Sequence, residues 1–186
     1  METTTRERIV AAADQLFYRQ GYEHPSFAQI AAQVGISRGN FYHHFKTKDD
    51  ILDAVIRYRV AGTTSMLQQW EAADDDPQAR IRSFIHILIM NRAKIKLYGC
   101  PVGTLCGELG KIDHPARDDA NQLFTLFRLW LRQQFEHLGC EDADGLAMHL
   151  LALSQGIATL ASAFHDENFL RQEVDRLNAW LADCVN

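Results

Sequence analysis

The sequence predicts an all-α protein: an N-terminal three-helix domain of the helix-turn-helix type, residues 1–47, followed by a larger helical domain, residues 48–186. Three observations carry that expectation. Apolar residues recur at intervals of three and four along the chain, and the alternating β-branched runs closed by Asn-Gly or Asp-Gly that hairpins need are missing. Two short amphipathic segments between residues 26 and 45 are joined by a tight glycine-containing turn. Asp74-Asp75-Asp76-Pro77 then interrupts the periodicity, because three like charges resist packing and the proline is placed to open a new helix.

The first helix is expected over about Thr5–Arg19, with Ile9, Ala12, Ala13, Leu16 and Phe17 on one face and Gly21 as C-terminal cap. Ser26 caps a short second helix that turns Phe27, Ile30, Ala31 and Val34 inward. After Gly35-Ile36, Ser37 caps a third with Arg38–Phe45 as its body. A fourth starts near Thr47, carries Asp49 and Asp50 where the helix dipole favours carboxylates, and continues toward Trp70, long enough to join two domains. Beyond the acidic break, helices are expected at about 78–98, 101–109, 115–138, 142–165 and 168–184.

A chain of 186 residues with 47% hydrophobic content can bury a core without staples. The four cysteines, at 100, 106, 140 and 184, show no CxxC spacing, so free thiols in a reducing compartment are expected. His86, His114, His137, His149 and His165 are scattered, with no pair at ligand spacing, so neither a metal site nor a cofactor is expected. No leader pattern opens the chain and no unbroken apolar run approaches a membrane span, which predicts a cytoplasmic protein with no membrane partner.

The net charge is -5, but residues 1–60 carry 8 Lys/Arg against 7 Asp/Glu. From His24 to Lys48 the chain has Arg38, Lys46, Lys48 and three histidines and no carboxylate, so a polyanion can approach there. On the third helix, Arg38, Gly39, Asn40, Tyr42, His43 and His44 leave only Phe41 and Phe45 plainly apolar. A helix so rich in donors and free of acids suits an acceptor-rich ligand, and double-stranded DNA is one.

Residues from about Arg8 to Val55 resemble the TetR family of transcriptional regulators. The resemblance rests on Ile9-Val10-Ala11-Ala12-Ala13, Phe17, Gly21-Tyr22, Ile30-Ala31, the run from Val34 to Lys48, and Leu52. It implies that Arg38, Gly39 and Asn40 lie near base edges, that Tyr42, His43 and Lys48 meet phosphates, and that Ser26 touches phosphate from the second helix. Ser37 is grouped with them as DNA-facing. Arginine pairs bidentately with guanine and asparagine with adenine, while tyrosine and lysine serve the backbone. Ser26-Phe27 departs from the family's usual Thr-Thr or Thr-Val. Packing of Tyr42 on the first helix, a supporting role for His44 and simple solvation of Lys46 remain alternatives.

The resemblance further implies a homodimer through the last two helices, a small-molecule effector in the larger domain, and a repressor released from a palindromic operator by that effector. Ile81, Phe84, Ile85, Leu88 and Ile89 on one helix and Leu123, Phe124, Phe127, Trp130 and Leu131 on another make facing stripes. Such stripes read either as core or as the wall of a cavity, and Phe84, Leu88, Phe127, Trp130 and Cys100 are the pocket candidates. Gly99, Gly103 and Gly107 recur every four residues, as on a close-packing helix face, with Pro101 at the first helical position. That places Cys100 at the helix start, where the dipole favours thiolate, so thiol or electrophile sensing is an alternative signal and an inert buried cysteine the plain reading. An enzyme with Cys100 as nucleophile lacks a Cys/His/acid pattern, so no catalytic residue is assigned, and a protein-docking role for the first four helices is the remaining alternative.

Overall fold

Helix ends fall where side chains satisfy the orphaned backbone groups. The computed structural model describes residues 3–184, and among them are ten α-helices and no strand. Helix α1 (Thr5–Gln20) opens on a capping box between Thr4 and Glu7, and α2 (Phe27–Val34) on another between Ser26 and Gln29. Gly35 closes α2 with φ 75° and ψ 37°, a left-handed conformation that lets the Gly35 and Ile36 amides reach the Ala32 and Ala31 carbonyls. Ser37 caps α3 (Arg38–His44), its hydroxyl accepting the Asn40 amide at 3.2 Å. At the start of α4 (Lys48–Ala73), Thr47 and Asp50 cap one another: each side chain accepts the other's amide, at 3.0 and 2.9 Å.

The remaining helices are α5 (Pro77–Met90), α6 (Arg92–Tyr98), α7 (Pro101–Lys111), α8 (Arg117–His137), α9 (Ala143–Ala163) and α10 (Glu167–Cys184). The helix expected over 78–98 is therefore two. It breaks at Asn91, φ -104° and ψ 6°, whose side-chain amide donates to the Ile87 carbonyl at 3.1 Å, a local bond that competes with continued helix. The apolar period runs on through the break, so periodicity did not signal it.

Two compact units result. One comprises residues up to Gly62 together with Thr104–Gln122, and the other Thr63–Gly103 together with residues from Leu123 onward. The first thus takes in more than residues 1–47: the start of α4, most of α7 and the start of α8 belong to it. Its interior holds Ile9, Ile30, Phe41, Phe45, Ile51 and Leu109, none more than 2% exposed. The second is built on Ile81, Ile85, Leu131, Phe135, Leu150 and Leu170.

Helix α9 is apolar enough by length and composition to pass as a membrane span, with mean hydropathy 1.4 over an 18-residue window. His149, Ser154 and Gln155 interrupt its apolar run, so the helix is not an unbroken hydrophobic stretch. Ala147, Leu150, Ile157 and Ala161 are buried in the second unit's core, whereas Met148, Ala152, Gly156 and Leu160 form an exposed face of the same helix.

Phe135 is fully buried, its ring edge-on to Trp180. Phe135→Ala is expected to cost about 3–5 kcal/mol, read as a lowered unfolding midpoint at fixed protein concentration.

Candidate nucleic-acid interface

A turn of fixed shape sets the angle at which α3 leaves α2. Its glycine is the left-handed Gly35, and the guanidinium of Arg8 on α1 donates to the Val34 carbonyl at 2.6 Å, pinning the turn from behind. Phe41, at 0% exposure, and Phe45, at 2%, then anchor α3 inward. Phe27 of α2 packs on Phe41 with ring centroids 5.0 Å apart, and the Arg6 guanidinium lies 4.8 Å over the Phe45 ring.

With those two side chains inside, Arg38, Gly39, Asn40, Tyr42 and His43 are all exposed and share one short helix, while His44 is half-buried. The Tyr42 ring leans edge-on against Phe27 and Phe41, at 5.5 and 6.2 Å, and the residue remains 47% exposed. The contact fixes the ring without hiding it, and its aromatic partners are on α2 and α3. Lys46 folds its ammonium back onto the Tyr42 carbonyl.

Gly39 has no structural need of its own: a Cβ there would approach only the Ser37 hydroxyl, at 4.0 Å. Glycine within a helix costs roughly 1 kcal/mol relative to alanine, so this bare stretch of exposed backbone suits close approach by something outside the chain. The hydroxyls of Ser26 and Ser37 accept the amides of Gln29 and Asn40 as caps, which leaves each hydroxyl proton available to an external acceptor.

Lys48 is half-buried, its ammonium 5.1 Å over the Tyr22 ring and donating to the Glu23 carbonyl. Burial draws its pKa below the ordinary lysine value, against the opposing charges of Glu23 and Glu108. The acids that follow the acid-free stretch are engaged: Asp49 accepts the Tyr22 hydroxyl at 2.6 Å, and Asp50 accepts the Lys46 and Thr47 amides. Burial, then the hydrogen bond and charge of Asp49, push the Tyr22 phenol well above its ordinary pKa.

Residues of the first unit that sequence reasoning missed complete this arrangement. Glu108 of α7 accepts the Tyr22 and Glu23 amides at 2.8 and 3.2 Å, and a Cβ on Gly21 would lie 2.9 Å from that carboxylate. His114 stands 3.5 Å from Asp49 and edge-on to Tyr22. The Tyr22–Glu108 pair spans 86 positions, and no local pattern signals it.

In the second unit, Phe84, Leu88, Phe127 and Trp130 come together as core, each less than 9% exposed. Phe84 and Phe127 meet edge to face at 5.4 Å, and Trp130 donates its indole N–H to Glu71 at 2.9 Å. A cleft of about 690 Å³ in the same unit is lined by other side chains, among them Met66, Trp70, Arg82 and His86. Cys100, half-buried, stands just before α7 with its sulfur 3.5 Å from the Gly103 amide. The glycine face expected on α7 holds at one position: a Cβ on Gly103 would collide with Gln155 of α9, while Gly107 faces open space. Gly99 instead ends α6 with φ 75°. Among the described residues no three His, Cys, Asp or Glu side chains cluster as metal ligands.

An exposed helix rich in donors, free of acids and held by buried aromatics is shaped to lie against a polyanion. Residues 9–55 match the family profile of bacterial regulatory proteins, tetR family, and residues 77–175 that of the transcriptional regulator LmrA/YxaF-like C-terminal domain. An uncharacterised HTH-type transcriptional regulator from the lacX 3′ region of Lactococcus lactis subsp. lactis is 30% identical, over 93% of this chain and 91% of its own length. The uncharacterised HTH-type regulator YxaF of Bacillus subtilis is 31% identical over 82% of each chain. The crystal structure of a TetR transcriptional regulator from Legionella pneumophila superposes with a TM-score of 0.84 at 25% identity, covering 96% of this chain and 97% of that one.

The capping amides and hydroxyl of Thr47 hold the Asp50 carboxyl below its ordinary pKa. A depressed folded-state pKa gives stability that is present above the unfolded value, near 3.9, and is lost as pH falls through the folded value. Asp50→Asn, which keeps an acceptor oxygen but no charge, is therefore expected to lower the melting temperature at neutral pH, with the gap to wild type closing below about pH 4. A gap independent of pH would contradict the charge-based cap.

Proposed function

The chain belongs to the TetR family of helix-turn-helix transcriptional regulators, and from that premise we propose that it is a repressor released from a palindromic operator by a small molecule. The observation that carries the DNA-reading half is α3: an exposed, acid-free face with Gly39 at a position where nothing inside the chain requires glycine. In this reading Arg38 and Asn40 read base edges in the major groove, and Gly39 lets the backbone come close. Tyr42, His43, Ser26 and Ser37 donate to phosphates and fix register. Lys48 joins them by exchanging the Glu23 carbonyl for a phosphate oxygen.

Residues 1–47 act as the DNA-reading domain and residues 48–186 as the effector-binding and dimerising one, in the cytoplasm. Support for a homodimer through α9 and α10 comes from α9, an apolar helix with only 39% of its most hydrophobic window buried within the chain. Met148 and Leu160 on it are each 44% exposed, and Phe164 at its end is 72% exposed. A twofold dimer sets two recognition helices roughly 34 Å apart, one DNA turn, as a palindrome requires. An effector shifts DNA affinity only by its differential binding to two states of that dimer, typically about 1–3 kcal/mol. Phe84, Leu88, Phe127 and Trp130 serve the effector-binding domain as packed core. The relatives give no support to a thiol-based signal at Cys100.

Selection of bound sequences from a random DNA pool at two salt concentrations is expected to enrich a palindrome whose affinity falls steeply with salt. Failure to enrich any sequence would overturn the operator reading. On the selected site, Arg38→Ala is expected to cost about 1–3 kcal/mol and relax preference at one base position, whereas Tyr42→Ala weakens all sequences alike. Gly39→Ala separates the interface from the fold: it is expected to hold or raise the melting temperature while weakening operator binding about tenfold or more. Undiminished affinity in that variant would remove Gly39 from the interface.

A further inference from the structure

We propose that the cleft beside α5 in the second unit is a binding site for a small apolar anion, with an aromatic carboxylate as the fitting class. The inference deepens the regulator reading by giving the effector a site and a chemistry, and rests on it only for the consequence at DNA. At about 690 Å³ the cleft falls within the range that small-molecule sites occupy.

Its apolar wall comes from Met66 and Trp70 of α4 and Ile87 and Met90 of α5. The Trp70 ring is half-buried and braced against Trp130 with centroids 5.5 Å apart, so it presents a flat surface of fixed position. The two methionines are unbranched and polarisable, suited to closing around a planar body of variable outline. Met90 is 71% exposed, an unusual place for a thioether with nothing to cover.

The charged element is Arg82, one turn from His86 on the same helix, with Ser83 between them. Neighbouring arginines are engaged within the chain: Arg80 donates to the Asp74 and Glu71 carbonyls, and Arg92 pairs with Glu167. Arg82 is exposed and has no hydrogen bond or ion pair to any described residue. Among the described residues no carboxylate lines the cleft, in a chain with 24 acidic residues against 19 basic ones. An unpaired guanidinium over an apolar, acid-free cleft matches a carboxylate on a flat ring, because its planar fork binds that group bidentately. Asn178 of α10 has its amide nitrogen committed to the Val174 carbonyl at 3.0 Å, leaving its oxygen to accept from a ligand hydroxyl.

The test is calorimetric titration of the full chain, without DNA, with three probes of one shape: 2-naphthoate, the neutral 2-naphthamide and the cationic 2-naphthylmethylammonium. Expected are binding of naphthoate about tenfold tighter than naphthamide, and no binding of the cation. Arg82→Ala, a change at an exposed position, should abolish the preference for naphthoate over naphthamide, and Trp70→Ala should weaken both. Absence of naphthoate binding, equal binding of the three probes, or a naphthoate preference that survives Arg82→Ala would each overturn the proposal. Because the titration contains no DNA, its failure leaves the operator reading standing, and a failed operator selection leaves the cleft standing.

Discussion

A seven-residue helix does not hold its shape in water, since helices shorter than about a dozen residues gain too few bonds to offset nucleation. Helix α3 has that length and gives most of its side chains to solvent, so its position rests on the burial of Phe41 and Phe45. Full burial of such a side chain contributes roughly 1.5–3 kcal/mol, enough for two to fix a short helix that is also capped by Ser37. Every exposed residue on α3 inherits its direction from those anchors. The polar character that would mark a surface helix as poorly held is thereby made compatible with rigidity, which the proposed base reading requires.

The loop that follows α1 shows the same economy. The Tyr22 and Glu23 amides lie beyond any helix, and Glu108 satisfies both at once from α7. Hydrogen bonds to a charged acceptor contribute about 1.5–3 kcal/mol each, and Gly21 makes room for the carboxylate by lacking a Cβ. Tyr22 is then buried between Phe17 and His114, with its hydroxyl on Asp49 at the start of α4. Residues distant in sequence become one cooperative block, which is why the first compact unit includes Thr104–Gln122.

In the second unit, hydrophobic content is spent unevenly. The α5 and α8 stripes meet as packed aromatics, while α9 buries one side and leaves Met148 and Leu160 outside. Exposed apolar surface on one helix and an unpaired arginine on another stabilise nothing within a single chain. In the readings proposed above each meets a partner, a second copy in one case and a small anion in the other.

The sequence by itself determined what depends on near neighbours. Ser26 and Ser37 as caps and Pro77 at the first helical position marked helix starts, Gly21 marked an end, Gly35 marked the turn, and the run from Val34 to Lys48 identified the helix-turn-helix. These signals are local because a cap or a turn is satisfied within four residues. The break at Asn91 escaped because the apolar period continues through it, and the contact between the Phe84 and Phe127 rings is visible only in the folded chain. Tertiary structure alone decided that Glu108 and His114 support the first unit, that Arg82 pairs with no described residue and that the open cleft is lined by Met66, Trp70, Arg82 and His86 while Phe84 and Phe127 pack inside. Each of those facts is set by which groups far apart in sequence come within a few ångströms, and residue spacing along the chain carries no record of that.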